Sequence, residues 1–300
     1  MIRIIAKRLA FIISTLSLIT ISFTEAHATT STPQAYGAAG NGQTDDTAAF
    51  QAALNAGDIT IPSGTYLING TVRVPDNRNI TCQSGAVLLT TQKNSRNTAI
   101  FRIRSSYTTV SGCTLEGGNT SVPPGYDPVQ EFNFGIEIWA PGGHNTIQNN
   151  TFKNFWGNAG VTIYGIGIPS SDYNTISNNV FENNASYGAV IVDGRYNMIA
   201  NNYFLNCAVG WEPDNTGQAN TGNVVTGNTI VNDGNGRTNP NNVHLRLGGT
   251  PWGFNFSGNQ AYSNVVEGID TVIWLDAAIT PMGMQTQVSG NSCIGGCSIQ

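Results

Sequence analysis

The 300-residue sequence has few charged side chains, few basic residues and few histidines, and each shortage argues against a class of protein. Only 10% of the residues are charged, which is unlike a disordered chain, because such chains are kept open by high charge. The 13 Lys and Arg residues are too few for a broad nucleic-acid surface, which must neutralise phosphates. Three histidines and five cysteines do not suggest a Cys/His zinc site.

Long apolar runs are missing after residue 28, and the run before it predicts a secretory signal peptide. A basic start precedes the apolar run Leu9 to Phe23, which is followed by the small-x-small cleavage pattern Ala26-His-Ala28. The run falls short of the roughly 20 residues that span a bilayer, which disfavours an uncleaved anchor. Without residues 1–28, 10 basic and 17 acidic residues remain, giving a net charge of −7. We therefore expect a secreted protein, extracellular or periplasmic, with neither a membrane span nor a nucleic-acid partner.

Glycine and asparagine are abundant instead, and an asparagine-rich segment recurs. The segment Asn145-Thr-Ile-Gln-Asn-Asn-Thr-Phe152 returns at 174–181, at 197–204 and, more loosely, at 223–230, with offsets of 29, 23 and 26 residues. This period predicts a solenoid of stacked coils built from short strands. The paired asparagines are expected to form hydrogen-bonded ladders at one corner, because Asn tolerates a left-handed backbone. Phe152, Phe181 and Phe204 are expected to stack in the core.

The segment Gly40-Asn-Gly-Gln-Thr-Asp-Asp-Thr-Ala-Ala49 opens a short predicted helix, which Thr44 caps and Gly57 ends. On this segment and the repeats, the chain resembles the pectate-lyase-like right-handed β-helix superfamily of polysaccharide lyases, glycoside hydrolases, sugar-polymer epimerases and phage tailspikes. The resemblance implies an all-β, right-handed parallel β-helix with a short N-terminal capping helix, in which Asp45 and Asp46 are structural. The expected organisation is a signal peptide at 1–28, a cap segment at 29–70 and the β-helix at 71–300.

Export makes disulfide bonds possible for the cysteines. Cys82 and Cys113 fall at nearly equivalent positions in successive coils, which favours a bridge between coils. Cys293 and Cys297 are candidates to close a small terminal loop. Cys207 is expected to be a buried, small apolar residue.

A further strand in each coil carries the residues with chemical potential. These strands are Gly135-Ile-Glu-Ile-Trp139, Gly160-Val-Thr-Ile-Tyr164, Gly188-Ala-Val-Ile-Val-Asp193, Val209-Gly-Trp-Glu-Pro-Asp214, Asn242-Val-His-Leu-Arg-Leu247 and Thr271-Val-Ile-Trp-Leu-Asp276. Because side chains alternate along a strand, the residues expected to point outward are Glu137, Trp139, Thr162, Tyr164, His244 and Arg246. Residues expected near the same face are Asp193, Arg195, Glu212, Asp214, Trp274 and Asp276. Coils lie about 4.8 Å apart, so side chains from several coils converge there.

Glycoside hydrolysis is the slightly favoured chemistry. It needs one carboxylic acid to protonate the leaving oxygen and one carboxylate as base or nucleophile, and neighbouring carboxylates push their pKa values apart. Glu212 and Asp214, with Asp193 on the adjacent coil, are the candidates, and no cofactor is needed. The expected substrate is a polysaccharide, bound by Glu137, Trp139, Arg195, Trp211, Trp274 and Asp276, because sugar rings stack on aromatic side chains and sugar hydroxyls take hydrogen bonds.

β-Elimination or C5-epimerisation of a uronic-acid polymer is the alternative. Its base, proton donor and carboxylate neutralisers would come from Tyr164, His244, Arg246 and Arg195. Calcium would be held by Asp193, Glu212 and Asp214, because it prefers oxygen ligands. The sequence lacks the Asn-Thr-Asp, Asp-Asp, Gly-His-Gly and Arg-Ile-Lys set of polygalacturonases and the Trp-Ile-Asp-His signature of calcium-dependent pectate lyases.

A non-catalytic glycan-binding or adhesion module on the same solenoid is the third hypothesis. His144, in Pro-Gly-Gly-His, is predicted to be a solvated turn residue outside any site.

Overall fold

The computed structural model describes residues 30–91, 98–118, 133–155, 159–164, 171–184, 187–192, 194–211, 220–233, 244–247, 256–257, 260–268, 272–275, 287–295 and 298–299. Two helical segments occur in these ranges, a 3-10 turn at Pro33–Tyr36 and the helix α1 at Thr47–Ala56. No helix in the described ranges is long and apolar enough to cross a membrane.

Three long parallel sheets form the body of the protein, and their strands are numbered in chain order. Sheet A contains β2 (Ile59–Ile61), β5 (Asn79–Cys82), β8 (Thr109–Ser111), β11 (Thr146–Gln148), β14 (Thr175–Ser177), β17 (Met198–Ala200), β21 (Val224–Thr226), β25 (Gln260–Tyr262) and β28 (Gln287–Ser289). Sheet B contains β1 (Asn41–Asp45), β3 (Gly64–Leu67), β6 (Ala86–Leu89), β9 (Thr114–Glu116), β12 (Thr151–Lys153), β15 (Val180–Glu182), β18 (Tyr203–Leu205), β22 (Thr229–Asn232), β26 (Val265–Gly268) and β29 (Ser292–Ile294). Sheet C contains β4 (Val72–Val74), β7 (Thr98–Ile103), β10 (Asn133–Trp139), β13 (Ala159–Tyr164), β16 (Tyr187–Val192), β19 (Ala208–Trp211), β23 (His244–Leu247), β27 (Val272–Leu275) and β30 (Ser298–Ile299). A small separate pair is formed by β20 (Asn220–Thr221) and β24 (Phe256–Ser257).

Each coil contributes one strand to sheet A, one to sheet B and one to sheet C, and every neighbour is parallel. The predicted right-handed parallel β-helix is confirmed. The six strands predicted to carry chemistry all lie in sheet C, as the consecutive neighbours β10, β13, β16, β19, β23 and β27. Strands β1 to β3, which belong to the segment predicted as a cap, pair in sheets B and A with the later coils.

A ladder of buried asparagines runs along the corner between sheets A and B. This first amide ladder consists of Asn150, Asn179, Asn202, Asn228, Asn264 and Asn291. The side-chain NH₂ of each of the first five members donates to the Oδ1 of the next member at 2.9–3.1 Å. Every member also donates to a backbone carbonyl, and its Oδ1 accepts a backbone N–H of the preceding coil. The predicted ladders are therefore present, and they satisfy backbone groups that would otherwise be buried without partners.

The two asparagines of each repeat pair have different roles. Asn149, Asn178 and Asn201 have φ of 55–56° and make the left-handed corner, where later coils use Gly227, Ser263 and Gly290. The second asparagine of each pair belongs to the ladder. A second amide ladder, Asn145, Asn174, Asn197 and Asn223, follows the corner between sheets C and A.

The predicted phenylalanine stack is confirmed, with ring centroids 4.9 Å apart for Phe152 and Phe181 and 4.8 Å for Phe181 and Phe204. It packs against a column of glycines that begins the strands of sheet C. A Cβ on Gly188 would lie 2.4 Å from Cδ1 of Phe204, and a Cβ on Gly160 would lie 3.1 Å from Phe152 and Phe181. Glycine at these strand positions is therefore a packing requirement.

Helix α1 covers the N-terminal end of the solenoid, with Phe50, Ala53 and Leu54 in the core. Its Gln51 side chain donates to the carbonyl and accepts the N–H of Arg73 in the edge strand β4, both at 2.8 Å, so it substitutes for a missing strand. The prediction of Thr44 as N-cap was wrong, because the helix begins at Thr47 with Asp46 at the N-cap position.

The two acidic residues before the helix bond to their own segment. Asp46 accepts the N–H groups of Ala39 and Gly40, at 2.6 and 3.2 Å, instead of a helical N–H. Asp45 accepts from the backbone and hydroxyl of Thr47. Their contacts are those of structural residues.

The cysteine predictions agree with the structure where it describes them. Cys82 and Cys113 form a disulfide bond between adjacent coils, with Cα atoms 4.9 Å apart. Cys207 is a buried free thiol that donates to the carbonyl of Phe181. Cys293 is disulfide-bonded, and its predicted partner Cys297 lies outside the described residues.

Substitution of one ladder asparagine should destabilise the protein far more than substitution of its neighbour. Asn179→Ala leaves the backbone N–H and one side-chain N–H of Asn150 buried without partners, so we expect a loss of about 3–5 kcal/mol in unfolding free energy. The control is Asn178→Gly, which retains the corner conformation and should change stability by less than about 0.5 kcal/mol. Urea unfolding measures both, and equal losses would contradict this role of the ladder.

Alkaline stability should depend on Cys207, because burial raises the pKa of its thiol to about 12 from an ordinary 9.0. Above pH 9.0 the unfolded chain releases this proton and the folded chain keeps it, so stability falls as pH rises, by up to about 1.4 kcal/mol per pH unit. The Cys207→Ala variant should lack this part of the slope. Urea unfolding below and above pH 9.0 tests it, and parallel slopes for both proteins would exclude it.

Candidate functional site

Register across sheet C places the predicted outward residues in columns. The central column is Arg73, Arg102, Glu137, Thr162, Val190, Gly210, Arg246 and Trp274. Trp139, Tyr164 and Val192 form a second column, one for each of β10, β13 and β16. Trp211 is the Cα partner of Ile191 and Leu247, so its register position is that of the inward-facing residues.

The column does not gather all of its members into one constellation. Glu137 on β10 and Arg246 on β23 are separated by β13, β16 and β19, which is roughly 19 Å at about 4.8 Å per strand. Arg246 and Trp274 are direct neighbours, on β23 and β27, and His244 pairs with Val272. The predicted residues therefore divide into a group around Glu137 and a group on β19 to β27.

The central column of sheet C is buried over β10 to β19. Tyr187, Val190 and Ala208 form a separate apolar cluster on this side of the sheet. Glu137 is 1% exposed, and both Nε and Nη2 of Arg102 donate to its Oε2 at 2.6 Å. The predicted substrate-binding carboxylate is thus held in a buried ion pair inside the protein.

Thr162, the Cα partner of Glu137 on the next strand, is fully buried. Its hydroxyl has no hydrogen-bond partner among the residues that the structure describes. A buried hydroxyl without a partner costs about 1–3 kcal/mol. The position is therefore polar where an isosteric apolar side chain would be more stable.

Trp139 is only partly buried, and the guanidinium carbon of Arg104 lies 5.0 Å from its ring centroid. A cation over an indole face is attracted by the ring electrons. This pair lies where sheet C ends and the chain turns towards sheet A. Of the predicted substrate-binding aromatics, it is the one whose described side chain reaches the surface.

Several predicted residues lie outside the described part of the chain, namely Asp193, Glu212, Asp214 and Asp276. For His244, Arg246, Tyr164, Trp211 and Trp274 the strand positions are described and the side chains are not. The strands before two of these acids are informative, since Asp193 follows the last residue of β16 and Glu212 follows the last residue of β19. These two strands are neighbours, with Ile191 and Trp211 as Cα partners.

A column of four stacked rings, which the sequence did not predict, lies at the corner between sheets C and A. We define the aromatic column as Tyr107, His144, Tyr173 and Tyr196. Ring centroids are 4.8–5.1 Å apart and ring planes lie within 6–16° of parallel. His144 is indeed in an exposed turn, as predicted, but its ring packs between two tyrosines.

Every member of the aromatic column has a left-handed backbone, with φ of 56–59°. Bulky residues in this conformation cost about 1–2 kcal/mol each, and three stacked pairs return about 0.5–1.5 kcal/mol each. The two sums are similar at best, so stability alone does not account for aromatic residues here. Among the described residues, the other left-handed corners use Asn, Ser and Gly.

Arg195 lies beside the aromatic column and not on the face of sheet C. Its Nε and Nη2 donate to Oδ2 of Asp172 at 3.0 and 2.6 Å, and this hydrogen-bonded ion pair raises the pKa of Arg195. The side chain is 45% exposed. It therefore presents a fixed, solvent-accessible cation next to Tyr173 and Tyr196.

A sequence signal for the aromatic column was available. Three of its members immediately precede the first asparagine of a repeat copy, as His144-Asn145, Tyr173-Asn174 and Tyr196-Asn197. Arg102 had no such signal, because its partner Glu137 is 35 residues away and the pairing depends on register.

The family model described as rhamnogalacturonase A/epimerase, pectate lyase-like, matches residues 33–239, which is more than half of the chain. The chain belongs to this family. A search of curated proteins finds no significant match.

Solved structures resemble this pectate lyase-like chain in fold. A galactohydrolase of sulfated galactose and anhydrogalactose units has a TM-score of 0.64 at 15% identity, covering 90% of this chain and 70% of that one. The iota-carrageenase of family GH82 from A. fortis has a TM-score of 0.63 at 16% identity, and the match covers 81% of this chain but 57% of that one. PfbA, a surface adhesin of Streptococcus pneumoniae, has a TM-score of 0.58 at 16% identity, covering 90% and 81%. These likenesses show the shared parallel β-helix.

Removing the Thr162 hydroxyl should stabilise the protein. Thr162→Val retains the shape and removes a buried donor without a partner, so we expect an unfolding free energy about 1 kcal/mol higher. The matched control is Thr108→Val. The buried hydroxyl of Thr108 lies 3.3 Å from that of Ser105, so its removal should lower the unfolding free energy. Thermal unfolding compares them, and a lower melting temperature for Thr162→Val would contradict the assignment.

Proposed function

We propose that this protein is a secreted enzyme that cleaves a polysaccharide by hydrolysis, with carboxylates from Asp193, Glu212 and Asp214 as the acid and the base or nucleophile. The observation that carries the proposal is the pairing of β16 with β19, the two strands that directly precede Asp193 and Glu212. Asp193 and Glu212 are the next residues in the sequence after these two strands, which supports pairing them. A carboxylate pair at one edge of a rigid sheet is what glycosidic hydrolysis needs.

The adjacent strands supply the proposed binding groups. His244 and Arg246 are on β23, the next neighbour of β19, and Trp274 follows on β27. An imidazole and a guanidinium bond sugar hydroxyls or an anionic substituent, and an indole stacks on a sugar ring. The similar galactohydrolase and iota-carrageenase support polysaccharide cleavage on this fold, and the similar surface adhesin supports a location outside the cell.

In the proposed reaction one carboxylic acid protonates the glycosidic oxygen as the bond to the leaving sugar breaks. A carboxylate on the opposite side either activates water or attacks the anomeric carbon, and water then completes hydrolysis. Like charges in proximity raise the pKa of one carboxyl group above that of the other, which divides the roles. The choice between inversion and retention depends on the separation of the two groups.

Turnover on a polysaccharide panel tests the proposal. The mature protein is incubated with iota-carrageenan, polygalacturonate, alginate and xylan, and reducing ends and the ultraviolet absorbance of unsaturated ends are followed together. We expect new reducing ends without new absorbance on one polymer. Glu212→Gln should lower this turnover by about 10²–10⁴-fold, because it removes proton transfer. The control is Glu267→Gln, which changes an exposed carboxylate on sheet B and should leave turnover unchanged.

The same assay separates the alternatives. Unsaturated ends would overturn hydrolysis in favour of β-elimination, with His244 and Arg246 beside β19 as the acting residues, and loss of turnover with a chelator would then indicate bound calcium. Absence of turnover on every polymer, with retained binding, would overturn the enzyme proposal in favour of a glycan-binding module.

A further inference from the structure

The aromatic column has the composition of a surface that contacts a ligand. The three tyrosine rings are among the most exposed large side chains described, at 62% for Tyr107 and 49% for Tyr173 and Tyr196. Each hydroxyl is without a hydrogen-bond partner among the described residues, and so is Nη1 of Arg195 beside them. Donors, acceptors and apolar ring edges are therefore presented together to solvent.

The column is also a straight and rigid array. Its rings repeat with the coils, so it extends over three coil steps, roughly 15 Å at about 4.8 Å per coil. The backbone N–H of each member donates to the carbonyl that precedes the next corner, at 2.9–3.2 Å. A repeating polymer matches such an array better than a small compact ligand does.

The two ends of the column differ. A Cβ on Gly222 would lie 2.5 Å from Cδ1 of Tyr196, so the ring of Tyr196 rests against this glycine. At the other end the corner above Tyr107 is occupied by Asn77, whose N–H donates to the carbonyl of Ser106. Because an asparagine replaces a ring there, no other aromatic ring of the described residues covers that face of Tyr107.

We propose that the aromatic column is a second polysaccharide-contact surface, in which Tyr107 stacks on a sugar ring and Tyr173, Tyr196 and Arg195 bond sugar hydroxyls along the chain. This inference rests on the proposed function only in that the partner is a polysaccharide. The apolar ring faces and edges fit the C–H faces of sugars, and the unpaired hydroxyls and guanidinium nitrogen fit their hydroxyl groups. The surface holds a polymer at the corner and takes no part in bond cleavage.

The test replaces the tyrosines of the column with asparagine, which other left-handed corners of this fold already use. Tyr107→Asn, Tyr173→Asn and Tyr196→Asn are combined, because Asn occupies equivalent left-handed corners at positions 149, 178 and 201. The matched control is Tyr203→Asn, which changes a tyrosine of similar exposure, 40%, on the outer face of sheet B. Thermal unfolding confirms that each variant is folded.

Binding is measured by native affinity electrophoresis through gels that contain one polymer of the panel named above. We expect the parent protein and the Tyr203 variant to be retarded equally, and the triple variant to bind about three- to tenfold more weakly per lost ring contact. On short oligosaccharides, which cannot reach both surfaces, the triple variant should keep the parent turnover rate. Reduced retardation in a protein without turnover would uphold the surface while the proposed enzyme activity fails.

Two results would overturn the inference. Equal retardation of the triple variant and the parent would show that the polymer binds elsewhere, even if turnover is normal. Loss of self-association by the triple variant in size-exclusion chromatography, with no change in retardation, would assign the column to contact between copies of the chain.

Discussion

The first amide ladder is the interaction on which the rest of the structure depends. Each ladder asparagine bonds the side chain and the backbone of neighbouring coils in a buried position, where an unpaired amide is costly. A slip of one residue between coils would leave these groups unpaired and would turn each strand's apolar side chains outward. The ladder therefore fixes register, and register determines every other column, including the phenylalanine stack, the glycines beside it and the outward positions of sheet C.

This constraint leaves the corners chemically free but conformationally demanding. A corner residue needs a left-handed backbone, which Asn and Gly accept at little cost, and most corners of the chain use them. The corner between sheets C and A departs from this rule in four consecutive coils, at Tyr107, His144, Tyr173 and Tyr196. Functional positions are where a chain most often departs from its local conformational preference without a gain in stability. This corner is therefore a candidate functional surface in addition to the strands of sheet C.

The repeat made much of the fold predictable, because its signals are local and periodic. The recurring segment aligns Asn150, Asn179 and Asn202, the three phenylalanines and the strands of sheet C. Contacts between coils with irregular insertions could not be predicted in the same way. Arg102 and Glu137 lie 35 residues apart, and their ion pair exists only because register places β7 beside β10. The aromatic column was not predicted, because three of its rings lie one residue before the first asparagine of a repeat copy and so outside the recurring segment. The prediction of Thr44 as the N-cap was wrong because the helix begins at Thr47, and the side chain of Asp46 at the N-cap position bonds backwards to Ala39 and Gly40.

The burial of sheet C determines where a polymer can approach. The outward residues of sheets A and B are mostly half-buried or exposed, whereas the central column of sheet C is buried over β10 to β19. Glu137 and Thr162 are consequently inside the protein, and a polysaccharide chain cannot lie flat on the middle of this sheet. At the end of β10, Trp139 is only partly buried and contacts the guanidinium of Arg104, and the proposed acids Asp193 and Glu212 follow β16 and β19 in the sequence. From the end of β10 the described chain runs directly into the corner at His144, so the partly exposed Trp139 and a ring of the aromatic column lie in successive parts of the same coil.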